Sequence, residues 1–330
     1  MSHSAPLSTL SLKLDAEQET ARIVQSLREQ LTHDLRRRGL VVGLSGGIDS
    51  TVTAALAVRA LGKSRVFGLL MPERHSDAET SFLGEKVADF LGIARIEENI
   101  TGILEAVNFY RRYDEAIREV IPEFGSEWIS KLVISGVSGG SGYTTFSIVA
   151  QAPDGRVIRE RLPLKAYLAI VAATNFKQRT RKMLEYYHAD RLNFAVAGTP
   201  NRLEYDQGFF VKNGDGSADV KPIAHLYKTQ VYQLAEYLGV PLEIRQRPPT
   251  TDTYSMPQSQ DEFYFALPYS QMDLCLFGKN HRLPVGQVAA AAGLTPEVVE
   301  WVWSDIERKR STTRYLHLKP LLVEAIAEIS

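Results

Sequence analysis

With 330 residues, 44% of them hydrophobic and 23% charged, and a formal net charge of -1, the chain has ordinary globular composition and lacks the positive excess of a dedicated nucleic-acid binder. A lone cysteine, Cys275, excludes an intramolecular disulfide and any paired-cysteine zinc site; its expected role is that of a small apolar residue. No stretch has the uninterrupted apolar length of a membrane helix, and Met1 to Leu14 lacks a signal-peptide core, so a soluble, cytoplasmic protein is expected.

The first predicted helix starts at Asp15, which suits an N-cap with Gln18 reaching back as a capping box. Ile23, Leu27, Leu31 and Leu35 form its apolar stripe, Arg36 to Arg38 suit the negative end of its dipole, and Gly39 is the expected stop. Leu40 to Leu44 reads as a buried strand, followed by a small-residue loop and a helix from about Ser50 to Leu61. Strands at 65–71 and 93–97 alternate with helices at 78–91 and 102–120. That alternation predicts an α/β fold, a Rossmann-like parallel sheet flanked by helices with right-handed crossovers.

Between about Ile121 and Leu164 the alternation breaks. A Gly/Ser-rich run, Ser135 to Gly142, precedes two β-rich runs, Thr144 to Gln151 and Arg156 to Arg161, joined by Pro153-Asp154-Gly155. Such a pattern predicts a β-hairpin flap, inserted at about 121–164 into a single domain spanning 1–330. Beyond it come a predicted helix from 164 to 189, a strand from 193 to 197, and helices at 228–238 and 296–310. Thr295 is placed to cap the last of these, with Pro296 in its first turn. Pro248 to Pro268, rich in Thr, Ser, Gln and Pro, reads as a long functional loop.

The segment Ser45-Gly46-Gly47-Ile48-Asp49-Ser50 lies between a predicted strand and a helix N-terminus. Glycines let backbone N–H groups approach an anion, the helix dipole favours negative charge there, and Ser45 and Ser50 add hydroxyls. Without the Gly-Lys-Ser/Thr ending of a Walker loop, γ-phosphoryl transfer is not the expected chemistry. A carboxylate in a phosphate site, Asp49, calls for an accompanying cation such as Mg²⁺.

This hexapeptide resembles the pyrophosphatase loop of the ATP-pyrophosphatase (HUP-type) superfamily, whose members cleave ATP between the α and β phosphates. Within it, Gly198-Thr199-Pro200-Asn201-Arg202-Leu203-Glu204, then Gly208 to Asp219 and Leu226-Tyr227-Lys228-Thr229-Gln230-Val231, resemble the signature of ammonia-dependent NAD synthetases. So do Asn175 to Arg181, Pro249 to Asp252 and Glu307 to Arg310, although Arg308 stands where the family has histidine. The resemblance implies ATP contacts from Ser45, Gly46, Gly47, Asp49, Ser50, Thr199, Lys228, Thr250 and Lys309, with Mg²⁺ held by Asp49 and Glu204. It implies that Arg179, Lys212, Asp215 and Asp219 bind deamido-NAD, and that Asp49, Lys228 and Asp215 are catalytic. ATP, deamido-NAD and free ammonia are the implied substrates, and a homodimer is the implied assembly, with no nucleic-acid or membrane partner. On this reading the flap, with Arg159 and Arg161 on one face, is either a mobile lid or an extension of the dimer interface. The same chemistry on a different carboxylic acid, or a non-catalytic nucleotide-binding module, also fits the fold.

Overall fold

The computed structural model describes residues 7–76, 78–135, 145–249, 253–258, 264–265 and 267–327. After a short 3₁₀ turn at Thr9–Leu12, α1 (Ala16–Glu29) begins with the Asp15 carboxylate accepting from the Gln18 backbone N–H at 3.0 Å. Asp15 is thus the cap, but Gln18 contributes its backbone and not its side chain. The helix passes into a π turn, Gln30–Leu35, and stops at Arg36, which takes the left-handed conformation (φ 51°) expected of a glycine. Gly39 serves another end: a Cβ there would meet the Arg65 carbonyl and the Phe194 ring.

The remaining elements follow in order: β1 (Leu40–Gly43), α2 (Ile48–Leu61), β2 (Val66–Leu70), α3 (Ala78–Leu91), β3 (Ala94–Glu97), α4 (Thr101–Ala106) and α5 (Phe109–Arg118). The single helix predicted over 102–120 is broken, because Asn108 adopts φ 57° and resets the chain direction. Next come β4 (Ile129–Ser135), β5 (Thr145–Gln151), β6 (Val157–Arg161), α6 (Leu164–Leu192), β7 (Ala195–Ala197) and α7 (Arg202–Gln207). The chain ends with α8 (Lys228–Tyr237), α9 (Leu242–Gln246), α10 (Tyr269–Asn280), α11 (Val285–Ala292) and α12 (Pro296–His317). The Thr295 hydroxyl caps α12 through the Val298 N–H, as expected.

The central sheet has the order β3-β2-β1-β7, all parallel, with Leu40 of β1 opposite both Val66 and Ala195. β1 is buried on both faces, as a near-continuous apolar run requires. On one face α1, α2 and α8 pack through Leu27, Leu56 and Val231; on the other, α5 and α6 pack through Ile117 and Ile170. Both the Ser45–Ser50 loop after β1 and the segment after β7 leave from the carboxyl ends of neighbouring strands, where open α/β sheets bind ligands.

The flap holds a third strand that the sequence reading did not anticipate. β4 pairs antiparallel with β5, and β5 with β6. Leu132, Ile148 and Ala150 are fully buried in the same cluster as Ile117 and Ile170, so the β-rich part of the flap is rooted in the main core. The Gly/Ser-rich run lies mostly outside the described residues. Thr253 to Gln258 runs along the β4 edge: the Met256 N–H donates to the Ser130 carbonyl at 3.1 Å, and the Ser130 N–H to Ser255 Oγ at 3.0 Å.

Candidate active site

The Ser45–Ser50 loop is self-braced. Ser45 Oγ and Ser50 Oγ lie 3.2 Å apart, the Gly47 N–H donates to Ser45 Oγ at 3.3 Å, and Ser50 Oγ donates to the Gly47 carbonyl at 3.0 Å. Gly46 has φ 68°, and a Cβ there would come within 2.6 Å of Leu83 Cβ, so glycine is required for conformation and for space. Gly47 precedes the first turn of α2 without a side-chain cap, which leaves that turn's N–H groups available to an anion.

Two more segments converge on this loop. The Lys228 ammonium, at the first position of α8, donates to Oδ2 of Asp49, while Asn201 Nδ2 donates to Oδ1 at 3.2 Å. Asn201, fully buried, caps α7: its Oδ1 accepts from the Leu203 and Glu204 N–H groups, and Glu204 Oε2 accepts from its backbone N–H at 3.1 Å. Asn201 therefore ties Asp49 and Glu204 together, a role that its place in the quoted motif did not reveal.

The charges are finely opposed. Burial first, then the neighbouring Asp49 carboxylate, pushes the Glu204 carboxyl up to about 8, against the pull of Lys228. Burial works against the Lys228 ammonium, but the Asp49 and Glu204 carboxylates outweigh it and leave its pKa raised. Asp273, from α10, accepts from the Thr229 N–H at 2.7 Å and the Lys228 N–H at 3.3 Å, which seats the start of α8; burial raises its carboxyl to about 6.

A second group of expected residues gathers after β7. Arg179 Nε donates to the Lys212 carbonyl at 3.3 Å, and Lys212 Nζ donates to the Tyr315 carbonyl at 2.8 Å, near the end of α12. Asp215 accepts from the Val211 N–H at 2.7 Å, and burial raises its carboxyl. Asp219 is engaged with the scaffold, accepting from the Val196 N–H at 2.7 Å and the Tyr186 hydroxyl at 3.2 Å. Thr199 lies half-buried just beyond β7.

Lys309 sits in a third cluster. It pairs with Asp305 at 2.7 Å and donates to the Tyr264 carbonyl, and burial lowers its pKa; among the described residues none of its contacts reaches the phosphate loop. Thr250 falls outside the described residues. Sequence reasoning quoted Lys177 within Asn175 to Arg181 without giving it a role and passed over Glu73; the two form a fully buried pair at 2.6 Å whose lysine donates to the Thr253 carbonyl at 2.8 Å. Their spacing of 104 positions carries no local signal.

Two carboxylates beside a phosphate cradle suit Mg²⁺, which takes one or two protein carboxylates and completes its shell with phosphate oxygens and water. Among the described residues no three His, Cys, Asp or Glu side chains cluster as a self-sufficient metal site, and no helix is long and apolar enough to cross a membrane.

Comparison with known proteins adds to this geometry. The NAD synthase family model matches residues 19–123 and 156–314, leaving out most of the flap. An NH(3)-dependent NAD(+) synthetase of Rhizobium rhizogenes is 59% identical over 98% of this chain and 97% of its own. One of Mesorhizobium japonicum is 61% identical over 96% and 99%, and one of Thermotoga maritima 34% identical over 77% and 84%. Among solved structures, the NMN synthetase of Francisella tularensis aligns with TM-score 0.65 at 22% identity, covering 94% of this chain and all of that one. The NH3-dependent NAD synthetase of Campylobacter jejuni aligns with TM-score 0.61 at 20% identity and equal coverage. The family match over most of the chain and the relatives that align with nearly all of it place the chain in the NAD synthase family.

Proposed function

We propose that the protein is an ammonia-dependent NAD synthetase, which joins ammonia to the nicotinate carboxyl of deamido-NAD and converts ATP to AMP and pyrophosphate. The observation that carries this reading is the convergence of Asp49, Glu204 and Lys228 on a phosphate loop built without a Walker lysine. In the first step the nicotinate carboxylate attacks the α-phosphorus of ATP and pyrophosphate leaves. Ammonia then attacks the activated carbonyl, and AMP departs with the former carboxylate oxygen.

The N–H groups at the start of α2 and the Ser45 and Ser50 hydroxyls receive the phosphates; Lys228 supplies a buried cation as charge develops on pyrophosphate. Asp49 and Glu204 would hold Mg²⁺, which supplies Lewis-acid neutralisation of phosphate charge. A cation held there would also offset the burial and the Asp49 charge that together raise the Glu204 carboxyl. Arg179 and Lys212, already joined through the Lys212 backbone, are assigned with Asp215 and Asp219 to the dinucleotide, and Thr199, Thr250 and Lys309 to ATP.

We further infer a homodimer, and a single domain over 1–330 carrying an inserted flap at about 121–164. In support of the dimer, α6 exposes Leu164, Leu168, Met183 and Tyr187 at helical intervals, each more than half accessible. Because Leu132 and Ile148 root the flap in the core, a wall or interface suits it better than a swinging lid.

The test is turnover with ATP and either deamido-NAD or nicotinate mononucleotide, using ammonium or glutamine as nitrogen source. The reading expects NAD, AMP and pyrophosphate from deamido-NAD and ammonium. Preference for the mononucleotide, or equal use of glutamine, would overturn it.

A further inference from the structure

Arg247 follows α9 and opens the segment that crosses toward the flap. Its Nη1 donates to the Ser45 carbonyl at 3.4 Å and its Nη2 to Thr80 Oγ1 at 3.2 Å, while Nε lies 4.0 Å from the Glu79 carboxylate. The Arg247 side chain is only 13% exposed, so the guanidinium is seated between the phosphate loop and the first turn of α3. Neither glycine pattern nor motif points to it, since 202 positions separate it from Ser45.

The consequence follows from peptide geometry. The Ser45–Gly46 bond is trans, and in a planar trans peptide the C=O and N–H point to opposite sides. Fixing the Ser45 oxygen on Arg247 therefore turns the Gly46 N–H the other way. Among the described residues that N–H has no protein acceptor, while the absent Gly46 side chain lets the loop lie against Leu83. A loop free to rotate about this peptide would present a carbonyl oxygen to an anion in place of an N–H.

We propose that Arg247 is a positioning residue for ATP: by holding the Ser45 carbonyl it aims the Gly46 N–H at the phosphates. Its own position is secured by its contacts with Ser45 and Thr80 and by its burial, 13% of the side chain being exposed. Lysine could replace one hydrogen bond but not the fork that spans Ser45 and Thr80.

This inference rests on the ATP-using ligase reading, and its test separates the two. Steady-state kinetics of Arg247→Ala, Arg247→Lys and a neighbouring control, Arg245→Ala, are compared with the wild type. Arg247→Ala is expected to raise the KM for ATP and the inhibition constant of pyrophosphate by about tenfold or more, the worth of one charged hydrogen bond. The KM for deamido-NAD should stay within about twofold, Arg247→Lys should fall between, and added guanidinium ion should restore part of the ATP affinity of Arg247→Ala. Equal rises in both KM values without guanidinium rescue, or no change at all, would overturn the proposal. If the wild type forms no amide, the ligase reading fails instead; calorimetric binding of ATP to wild type and Arg247→Ala then still decides the role of Arg247.

Discussion

The Lys228 ammonium, fully buried at the start of α8, donates to the Asp49 carboxylate in the first turn of α2. One buried cation thus satisfies a carboxylate, itself 17% exposed, that stands beside a second acid, the buried Glu204. Lys228→Met should leave the Asp49 carboxylate without its cation beside the buried Glu204, at a cost of roughly 3–5 kcal/mol in magnesium-free buffer. Urea denaturation with and without Mg²⁺ checks this, and the ion is expected to recover part of the loss. Amide formation by the same variant should fall by about a hundredfold or more; a stable variant with normal turnover would contradict both expectations.

Asn201 offers a finer dissection. Asn201→Asp keeps an oxygen able to cap α7 but replaces the donor to Asp49 with a third carboxylate. Stability should change little at high Mg²⁺ while the KM for ATP rises. Asn201→Ala should lose the cap as well, adding about 1 kcal/mol of destabilisation. Paired thermal melts and ATP titrations distinguish the two, and identical behaviour of both variants would reject the bridging role.

For Asp273 the pH dependence can be stated with its sign. Burial pushes its carboxyl up to about 6 in the folded chain from an ordinary 3.8, so the folded state holds the proton that the unfolded chain releases. Stability should therefore fall as pH rises from about 4 through 6 and stay flat above, with a full cost near 3 kcal/mol. Asp273→Asn should lose that slope in denaturation curves taken across the window. A slope that survives the substitution assigns it to another group.

Glu73 and Lys177 form a buried ion pair that also receives the Tyr110 hydroxyl at 2.9 Å and anchors Thr253. Removing the cation alone, Lys177→Met, should cost several kcal/mol, whereas Glu73→Leu with Lys177→Met should recover most of it. The double variant should nevertheless exchange amide hydrogens faster at 253–258, because the Thr253 carbonyl loses its donor. Unchanged exchange there would remove Lys177 from the account of how that segment is held.

The strand–helix alternation was legible because each buried strand is a short apolar run between glycines and helix caps; bounds for α3 fell at Ala78 and Leu91 as expected. Asp15 and Thr295 read correctly as caps because capping is local chemistry. Errors arose where local signals were overruled. Arg36, and not Gly39, took the left-handed turn, and Asn108 broke a helix that propensity would have continued. β4 was missed because its pairing with β5 is specified across a long connection. That the Ser45–Ser50 loop joins a buried strand to a helix was legible locally, but the bridging by Asn201, the seating of Lys228 by Asp273 and the contacts of Arg247 depend on approaches between residues tens to hundreds of positions apart.

The central claim is an acyl-adenylate, and the fate of the carboxylate oxygen tests it most directly. Deamido-NAD labelled with oxygen-18 in its nicotinate carboxyl is turned over with ATP, Mg²⁺ and ammonium, and the products are weighed by mass spectrometry. The account predicts one labelled oxygen on AMP for each NAD formed, with pyrophosphate unlabelled. Label in inorganic phosphate together with ADP would instead show activation at the γ-phosphate, and would contradict the reading of the Ser45–Ser50 loop.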